Sequence, residues 1–280
     1  MEAGIIINPY AGTLRSGDIE RCIRLARTAL DKCALDGEVV RTTGIGTARE
    51  LARSMVASGA STLVAWGGDG TVNEVAAEVA FRSVVLGIVP GGSGNGLARE
   101  LRLERRPETA LLTALQGAER VLDVGEIGGK LFVNVAGLGF DAHLAEMFNT
   151  SSHRGRTAYF MMTLRALLAY RPSAYTVRAE GETFHDTALL VSIANGRQYG
   201  SGARIAPLAR VDDGLLDVVF VGARSPWSVL SQAWRLFNGT VYRLKGVRTL
   251  SVQRAELAAP RPLTFHVDGE VFTGGTCLKV

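Results

Sequence analysis

Two glycine-rich segments constrain this chain more than any other feature: Gly67-Gly68-Asp69-Gly70-Thr71 and Pro90-Gly91-Gly92-Ser93-Gly94-Asn95-Gly96. Each follows a short apolar run of strand character, at residues 62–66 and 84–89. After the first, Val72, Val75, Ala76 and Val79 recur at helical spacing. Glycine between a strand and a helix lets backbone N–H groups approach an anion closely, and the helix N-terminus favours its negative charge. Neither segment is a GxxxxGK(S/T) loop or a GxGxxG fingerprint. A tight turn would account for one glycine pair, but not for two rich loops at adjacent strand ends, one carrying an acid and a hydroxyl. Ligands of open parallel sheets bind at those carboxyl ends, so the two loops predict a phosphate site.

The rest of the first 120 residues agrees with such a sheet. Residues 4–7 are a short apolar run followed by the turn-like Asn8-Pro9-Tyr10-Ala11-Gly12. Ile19, Ile23, Ala26, Leu30 and Cys33 then mark a helix that Gly37 stops, and residues 38–42 suit a second strand. Thr47-Ala48-Arg49-Glu50 reads as a capping box opening a helix that ends at Gly59. This alternation predicts parallel strands with helices on both faces. Near Val121 the rhythm changes. Shorter runs appear at 121–124, 131–135, 175–179, 188–193, 215–221, 247–252 and 263–267, with Asp268-Gly269 as a hairpin tip. Helical stretches at 157–170 and 226–237 interrupt them. The predicted class is α/β plus mainly-β: an N-terminal doubly wound parallel-sheet domain over 1–121, and an antiparallel, sandwich-like β domain over 122–280.

Composition removes several alternatives. A hydrophobic content of 47% with 21% charged residues describes a globular chain, not a disordered one. The longest uncharged stretch, residues 83–98, holds five glycines and a proline and is too short and broken to span a bilayer. No basic flank and apolar core mark the N-terminus as a secretory signal, and Cys22, Cys33 and Cys277 form no CxxC pair. Reduced thiols in the cytoplasm are the expectation. The net charge of +4 comes from scattered arginines without a run of four basic residues. It suits anionic ligands and gives no nucleic-acid face. His143, His153, His185 and His266 lack metal-ligand spacing, and no GxSxG or HExxH motif is present.

GGDGTVNEVA at residues 67–76 and PGGSGNGLAREL at 90–101 resemble the diacylglycerol kinase catalytic-domain superfamily, which includes bacterial lipid kinases, sphingosine kinases and ceramide kinases. IINPYAG at 6–12, VNVAGLGFDA at 133–142, the stretch from Ala194 through APLARVDDGLLDVV to Val221, and HVDGE at 266–270 extend the likeness in order along nearly the whole chain. GGDGT alone is shared with NAD kinases and phosphofructokinases.

The resemblance implies an ATP-dependent lipid kinase, with nucleotide bound between the domains. Asn8, Thr42 (or its neighbour Thr43), Gly67, Gly68, Asp69, Gly70, Thr71, Val72, Asn73 and Ser93 match its nucleotide-contacting positions. Asp69 would organise Mg²⁺ directly or through water; capping of the next helix is the structural alternative for it. Glu270 matches the catalytic acid/base, with Asp268 the nearby alternative, although an Asp-Gly pair often only builds a hairpin. Arg210-Val211-Asp212-Asp213-Gly214-Leu215 resembles a second Mg²⁺ site formed by Asp213 with the carbonyls of Arg210 and Leu215; a plain Asp-Gly turn needs no metal. Some members continue past this hairpin, whereas ten residues follow Glu270 here, so that segment is expected to be short or absent. The apolar stretch 143–172, edged by Arg154, Arg156, Arg165 and Arg171, could admit an acyl chain or simply pack on the sheet. The expected acceptor is a diacylglycerol-like or sphingoid-like lipid met peripherally at the inner membrane surface. An NAD kinase-like enzyme with a soluble substrate and a non-catalytic nucleotide-binding regulator are the rival readings. Self-association as a homodimer is left open.

Overall fold

The computed structural model describes residues 1–12, 18–150 and 156–280, and divides into two compact units, Met1–Val121 and Leu122–Val280. The first unit alternates β1 (Ala3–Ile7), α1 (Ile19–Cys33), β2 (Gly37–Arg41), α2 (Thr47–Ala57), β3 (Thr62–Gly67), α3 (Asp69–Val79) and β4 (Val85–Pro90). Two further helices, α4 (Gly96–Glu100) and α5 (Pro107–Gln116), complete it. The strands form one parallel sheet in the order β2-β1-β3-β4. Ala3, Ile5, Ile7, Val64, Trp66 and Val89 bury one face of this sheet under α1 and α5, which contribute Cys22, Ala26, Leu30, Ala110 and Leu111. Parallel strands buried on both faces read as continuous apolar runs, which is why Gly-Ile-Ile-Ile and Leu-Val-Ala-Trp show no alternation. All three cysteines are free thiols.

One local expectation is corrected. Thr47 does not cap α2: Gly46 is the N-cap residue, and the Thr47 hydroxyl donates back to the Gly44 carbonyl at 2.6 Å. The cap comes from another helix. The Glu74 carboxylate on α3 accepts from the N–H groups of Gly46 at 3.0 Å and Arg49 at 3.1 Å. A long-range acceptor has replaced the local one, which no window of contiguous sequence can register.

In the second unit, β5 (Gly125–Ile127) and β6 (Lys130–Phe132) form a small hairpin. The larger antiparallel sheet runs β14 (Glu270–Thr273), β13 (Thr264–Val267), β7 (Val135–Gly139), β9 (Glu182–Ala194), β8 (Ser173–Ala179), β12 (Ala255–Ala258) and β15 (Cys277–Lys279). Beside this path β10 (Leu216–Gly222) pairs with β9 and with β11 (Val247–Val252). The long β9 pairs with β8 through its first half and with β7 and β10 through its second, so the sheet curls around a core of Val177, Val191, Ile193, Phe220, Leu257 and Phe265. Three helices, α6 (Phe140–Thr150), α7 (Arg156–Ala169) and α8 (Pro226–Gln232), converge on a smaller cluster around Phe140, Leu167 and Leu189. A short α9 (Trp234–Asn238) follows α8.

The predicted strand at 121–124 is absent; Val121 is exposed and pairing begins at Gly125. The predicted helix 226–237 is two helices, because Ala233 N–H to Leu230 and Leu236 N–H to Ala233 close tighter three-residue turns at the junction. Helices α5 and α6 carry no expectation from the sequence, α6 because its glycine-flanked start, GLGFDA, masks the helical period.

Candidate active site

The parallel sheet brings the ends of four strands to one edge of the first unit. Asn8 follows β1, Thr42 follows β2, residues 67–73 run from the end of β3 into α3, and Ser93 lies in the loop after β4. Asn8 donates from its side-chain amide to the Thr71 hydroxyl at 2.9 Å, joining the first loop to the first turn of α3. Gly12 in the first loop lies against Ser93 in the fourth. Backbone bonding ties the glycine loops together, with Gly91 N–H donating to the Gly67 carbonyl at 2.7 Å. A Cβ on Gly92 would come within 2.6 Å of the Gly68 Cα, so these two glycines exist for loop-on-loop packing.

Gly70 is different. A Cβ there would meet nothing within 4 Å, and the N-cap residue of α3, Gly68, supplies no side-chain cap. The open face of the GGDGT segment is therefore its third glycine, at an uncapped helix start that favours an anion. Thr71, Val72 and Asn73 are buried below it, and the Val72 N–H is already committed to the Gly68 carbonyl at 3.0 Å.

Asp69 caps a helix, but not its own. Its carboxylate accepts from Asn95 N–H at 2.9 Å and Gly96 N–H at 2.6 Å, closing the start of α4 and fixing the second glycine loop to the first. An ionised carboxylate offers about four acceptor positions, so a hard cation remains compatible with this brace. Thr42 shows the reverse condition. It is 3% exposed, yet its hydroxyl oxygen has no hydrogen-bond partner among the described residues. Buried hydroxyls are nearly always satisfied, and this one stands at the carboxyl edge of the parallel sheet. Its neighbour Thr43 is exposed.

The second unit presents the HVDGE hairpin. Val267 pairs with Glu270 across a two-residue turn in which Asp268 and Gly269 have φ of +48° and +93°, the mirror-image geometry that suits sheet twist. The Asp268 carboxylate accepts from the N–H groups of Val133 (2.8 Å), Asn134 (3.0 Å) and Val135 (3.0 Å), clamping the start of β7. Asp268 thus turns the hairpin through its backbone and ties it to β7 through its carboxylate. The Glu270 carboxylate makes no hydrogen bond or ion pair among the described residues and is only partly buried.

Behind the hairpin lies a pair that the spacing of the histidines along the chain does not reveal. His266 is 4% exposed, and its Nε2 lies 3.2 Å from an Asp141 carboxylate oxygen on α6. Burial disfavours charge on His266, but the Asp141 carboxylate and, beyond it, that of Asp268 outweigh it and move its pKa upward. The pair sits over Gly137, where any Cβ would collide with the Asp141 carboxylate. Asn149 on α6 also donates to the Gly269 carbonyl at 3.0 Å.

At the other motif, Asp213 accepts from Leu215 N–H at 3.2 Å and Asp123 accepts from Gly214 N–H at 2.7 Å. These bonds hold the Asp-Gly turn in shape. Nearby Asp217 is buried, and burial raises its carboxyl pKa against the opposing bond from Ser251. Among the described residues no group of three or more His, Cys, Asp or Glu side chains is arranged to hold a metal ion.

Within the apolar stretch 143–172, Ala166 and Leu167 of α7 pack on the core and Met161 and Leu168 are exposed. His153 and Arg154 lie outside the described residues, as do the side chains of Arg156, Tyr159 and Phe160. A cavity of about 410 Å³ opens beside His143, Glu146, Tyr170, Tyr175 and Arg261. Burial and the neighbouring Tyr175 push the Tyr170 phenol well above its ordinary pKa. Among the described residues no helix is long and apolar enough to cross a membrane.

A parallel-sheet unit with two interlocked glycine loops, followed by a curled antiparallel unit with a VDGE hairpin, defines a kinase-type architecture. A family model described as the diacylglycerol kinase catalytic domain matches residues 2–127, and one described as the YegS C-terminal NAD kinase beta sandwich-like domain matches residues 134–277. The chain belongs to the diacylglycerol kinase catalytic-domain family, a family of lipid kinases. It is 31% identical over 264 residues to the "Probable lipid kinase YegS-like" protein of Pseudomonas fluorescens, covering 91% of this chain and 85% of that one. The corresponding protein of Pseudomonas aeruginosa is 35% identical over 239 residues, covering 82% and 76%. The fold matches the crystal structure of a diacylglycerol kinase from Bacillus anthracis with a TM-score of 0.74 at 19% identity, covering 99% of this chain and 92% of that one.

Proposed function

We propose that the chain is an ATP-dependent kinase that moves the γ-phosphoryl group of ATP to the hydroxyl of a diacylglycerol-like or sphingoid-like lipid, working peripherally at the inner membrane surface. The observation that carries the reading is the ligand edge of the first unit: four strand ends, an uncapped helix start open at Gly70, and the buried hydroxyl of Thr42 awaiting a partner. The names of its relatives support a lipid as acceptor. A second cation at Asp213, with the carbonyls of Arg210 and Leu215, is proposed on the family resemblance alone.

In this reading Asn8, Thr42 and Ser93 offer hydroxyl and amide groups to the nucleotide, while residues 67–73 receive its phosphates. Asp69 would hold Mg²⁺, whose charge, when bound, offsets that of the transferring phosphoryl group. Glu270, unlike Asp268, has a carboxylate free to take the proton of the lipid hydroxyl. The hydroxyl oxygen then bonds to the γ-phosphorus as the bond to the β–γ bridging oxygen breaks, leaving ADP. No covalent enzyme intermediate is needed, because phosphoryl transfer relies on positioning and charge stabilisation.

The test is phosphorylation of a total lipid extract with labelled ATP and Mg²⁺, the product being identified by mass spectrometry, with NAD assayed in parallel. A labelled lipid is expected; labelled NAD and no labelled lipid would overturn the acceptor class. Glu270→Gln should then lower turnover on the order of 10²–10⁴-fold while leaving ATP binding intact, and unchanged turnover would remove Glu270 from the mechanism.

A further inference from the structure

The segment from Val218 to Ala255 contains no aspartate or glutamate, but carries Arg224, Arg235, Arg243, Lys245, Arg248 and Arg254. Helices α8 and α9 lie within it. Ser225 caps α8 by accepting from Ser228 N–H at 3.3 Å, Pro226 opens it, and Ala233 keeps helical φ and ψ between the two helices. The helical phase therefore continues across the junction.

Its two faces are both apolar, which is unusual. Val229 and Leu230 turn inward onto the cluster around Phe140 and Leu167, and Leu236 turns inward onto the neighbouring cluster around Val135 and Val219. The outward residues, at spacings of four, three and three, are Trp227, Ser231, Trp234 and Phe237. Trp227 is 72% exposed, Trp234 55% and Phe237 61%. Two of the chain's three tryptophans thus stand on one solvent-facing helix stripe, where a globular protein otherwise places polar residues.

Cations frame the stripe. The Arg235 guanidinium stacks 5.0 Å from the Trp234 ring, and that of Arg243 lies 5.4 Å from the Tyr242 ring. At the start of α8, Arg224 reaches Gly246, next to the exposed Lys245. Tryptophan with arginine at the rim is the chemistry of the bilayer interface: the ring sits at headgroup depth, and the cation meets anionic phosphate. We propose that the outer face of α8 and α9 is a docking surface for a bilayer containing anionic phospholipid. The inference deepens the lipid-kinase reading and rests on it for its purpose, since an enzyme of that kind must hold station where its acceptor lies.

The third tryptophan makes the test direct, because Trp66 is buried in the first unit and is shielded from lipid. Without nucleotide, the full chain is titrated with vesicles of phosphatidylcholine containing phosphatidylglycerol, and with phosphatidylcholine alone. The expected result is a blue shift and quenching by brominated acyl chains with the anionic vesicles only, weakened by added salt. Trp227→Ser combined with Trp234→Ser should weaken vesicle sedimentation about tenfold or more with an unchanged melting temperature. Undiminished binding of the double variant, or equal binding of the parent to neutral vesicles, overturns the proposal. So does a parent dimer that the double variant dissolves while vesicles bind neither protein, which would make the stripe a contact between copies. Phosphorylation of detergent-dispersed lipid separates the two readings: the double variant should retain it, and its absence in the parent alongside vesicle binding would remove the kinase and leave the docking surface.

Discussion

Two Asp-Gly dipeptides, Asp69-Gly70 in the first unit and Asp268-Gly269 in the second, look alike in sequence and are used differently. Asp268 gives its carboxylate to three consecutive N–H groups of the strand start at residues 133–135 and has become part of the scaffold. Asp69 gives two bonds to the start of α4 and stands beside a glycine with open space above it. The lesson concerns what each site leaves uncommitted. Around Asp268 the carboxylate without a partner among the described residues is that of Glu270, two residues on; beside Asp69 it is the helix start at Gly70 that carries no side-chain cap from its N-cap residue.

The largest expected effect tests the scaffold role. Asp268→Ala strands three N–H groups that now bond a charged acceptor, and should cost about 3–6 kcal/mol of stability, read by urea denaturation. A loss under about 1 kcal/mol would dissolve the contrast. Asp69→Asn retains one acceptor oxygen, so its stability loss should be about 2 kcal/mol, with a larger loss of Mg²⁺-dependent turnover. If stability and turnover fell by the same free energy, Asp69 would be a brace like Asp268.

Thr42→Val removes a buried hydroxyl that has no hydrogen-bond partner among the described residues. Stability should stay within about 1 kcal/mol of the parent or rise, while ATP affinity falls about five- to tenfold in a calorimetric titration. Unchanged affinity would take Thr42 out of the nucleotide site. The smallest expected effect is at Gly70, where alanine fits the helix and should add up to about 1 kcal/mol of stability. The same methyl group projects to where phosphate is proposed to approach, so KM for ATP should rise as the melting temperature does.

Much of this was legible in advance, and the boundary of legibility has a physical form. Apolar runs such as residues 4–7 and 62–66 marked the parallel strands, because burial on both faces leaves a continuous signal. The Asp268-Gly269 turn was legible because its positive φ values demand those residue types. The glycine loops marked the turns from strand to helix, although not that Gly68 and Gly92 serve each other. What the sequence could not show was long-range partnership. Glu74 caps α2 from 25 to 28 residues away, and Asp141 on α6 meets His266 on β13. The latter pair left one trace, Gly137 in VNVAGLG, since only glycine leaves room beneath it. The aromatic stripe on α8 and α9 was hidden for a related reason. Periodicity reports an amphipathic helix by contrast between its faces, and here both faces are apolar.

The position of β7 has a consequence for how the second unit comes into being. That strand lies between β9 and β13, and its clamp, Asp268, is separated from Val133 by 135 residues of chain. During synthesis from the N-terminus, β7 can find β9 as soon as that strand emerges, but its other edge stays bare until residues 264–267 leave the ribosome. An unpaired edge recruits foreign strands, so the nascent unit must pass through a vulnerable interval that ends only when its closing hairpin arrives. The turn that presents Glu270 therefore closes the hairpin whose first strand covers the bare edge of β7, so the candidate base and the cover of that edge arrive together.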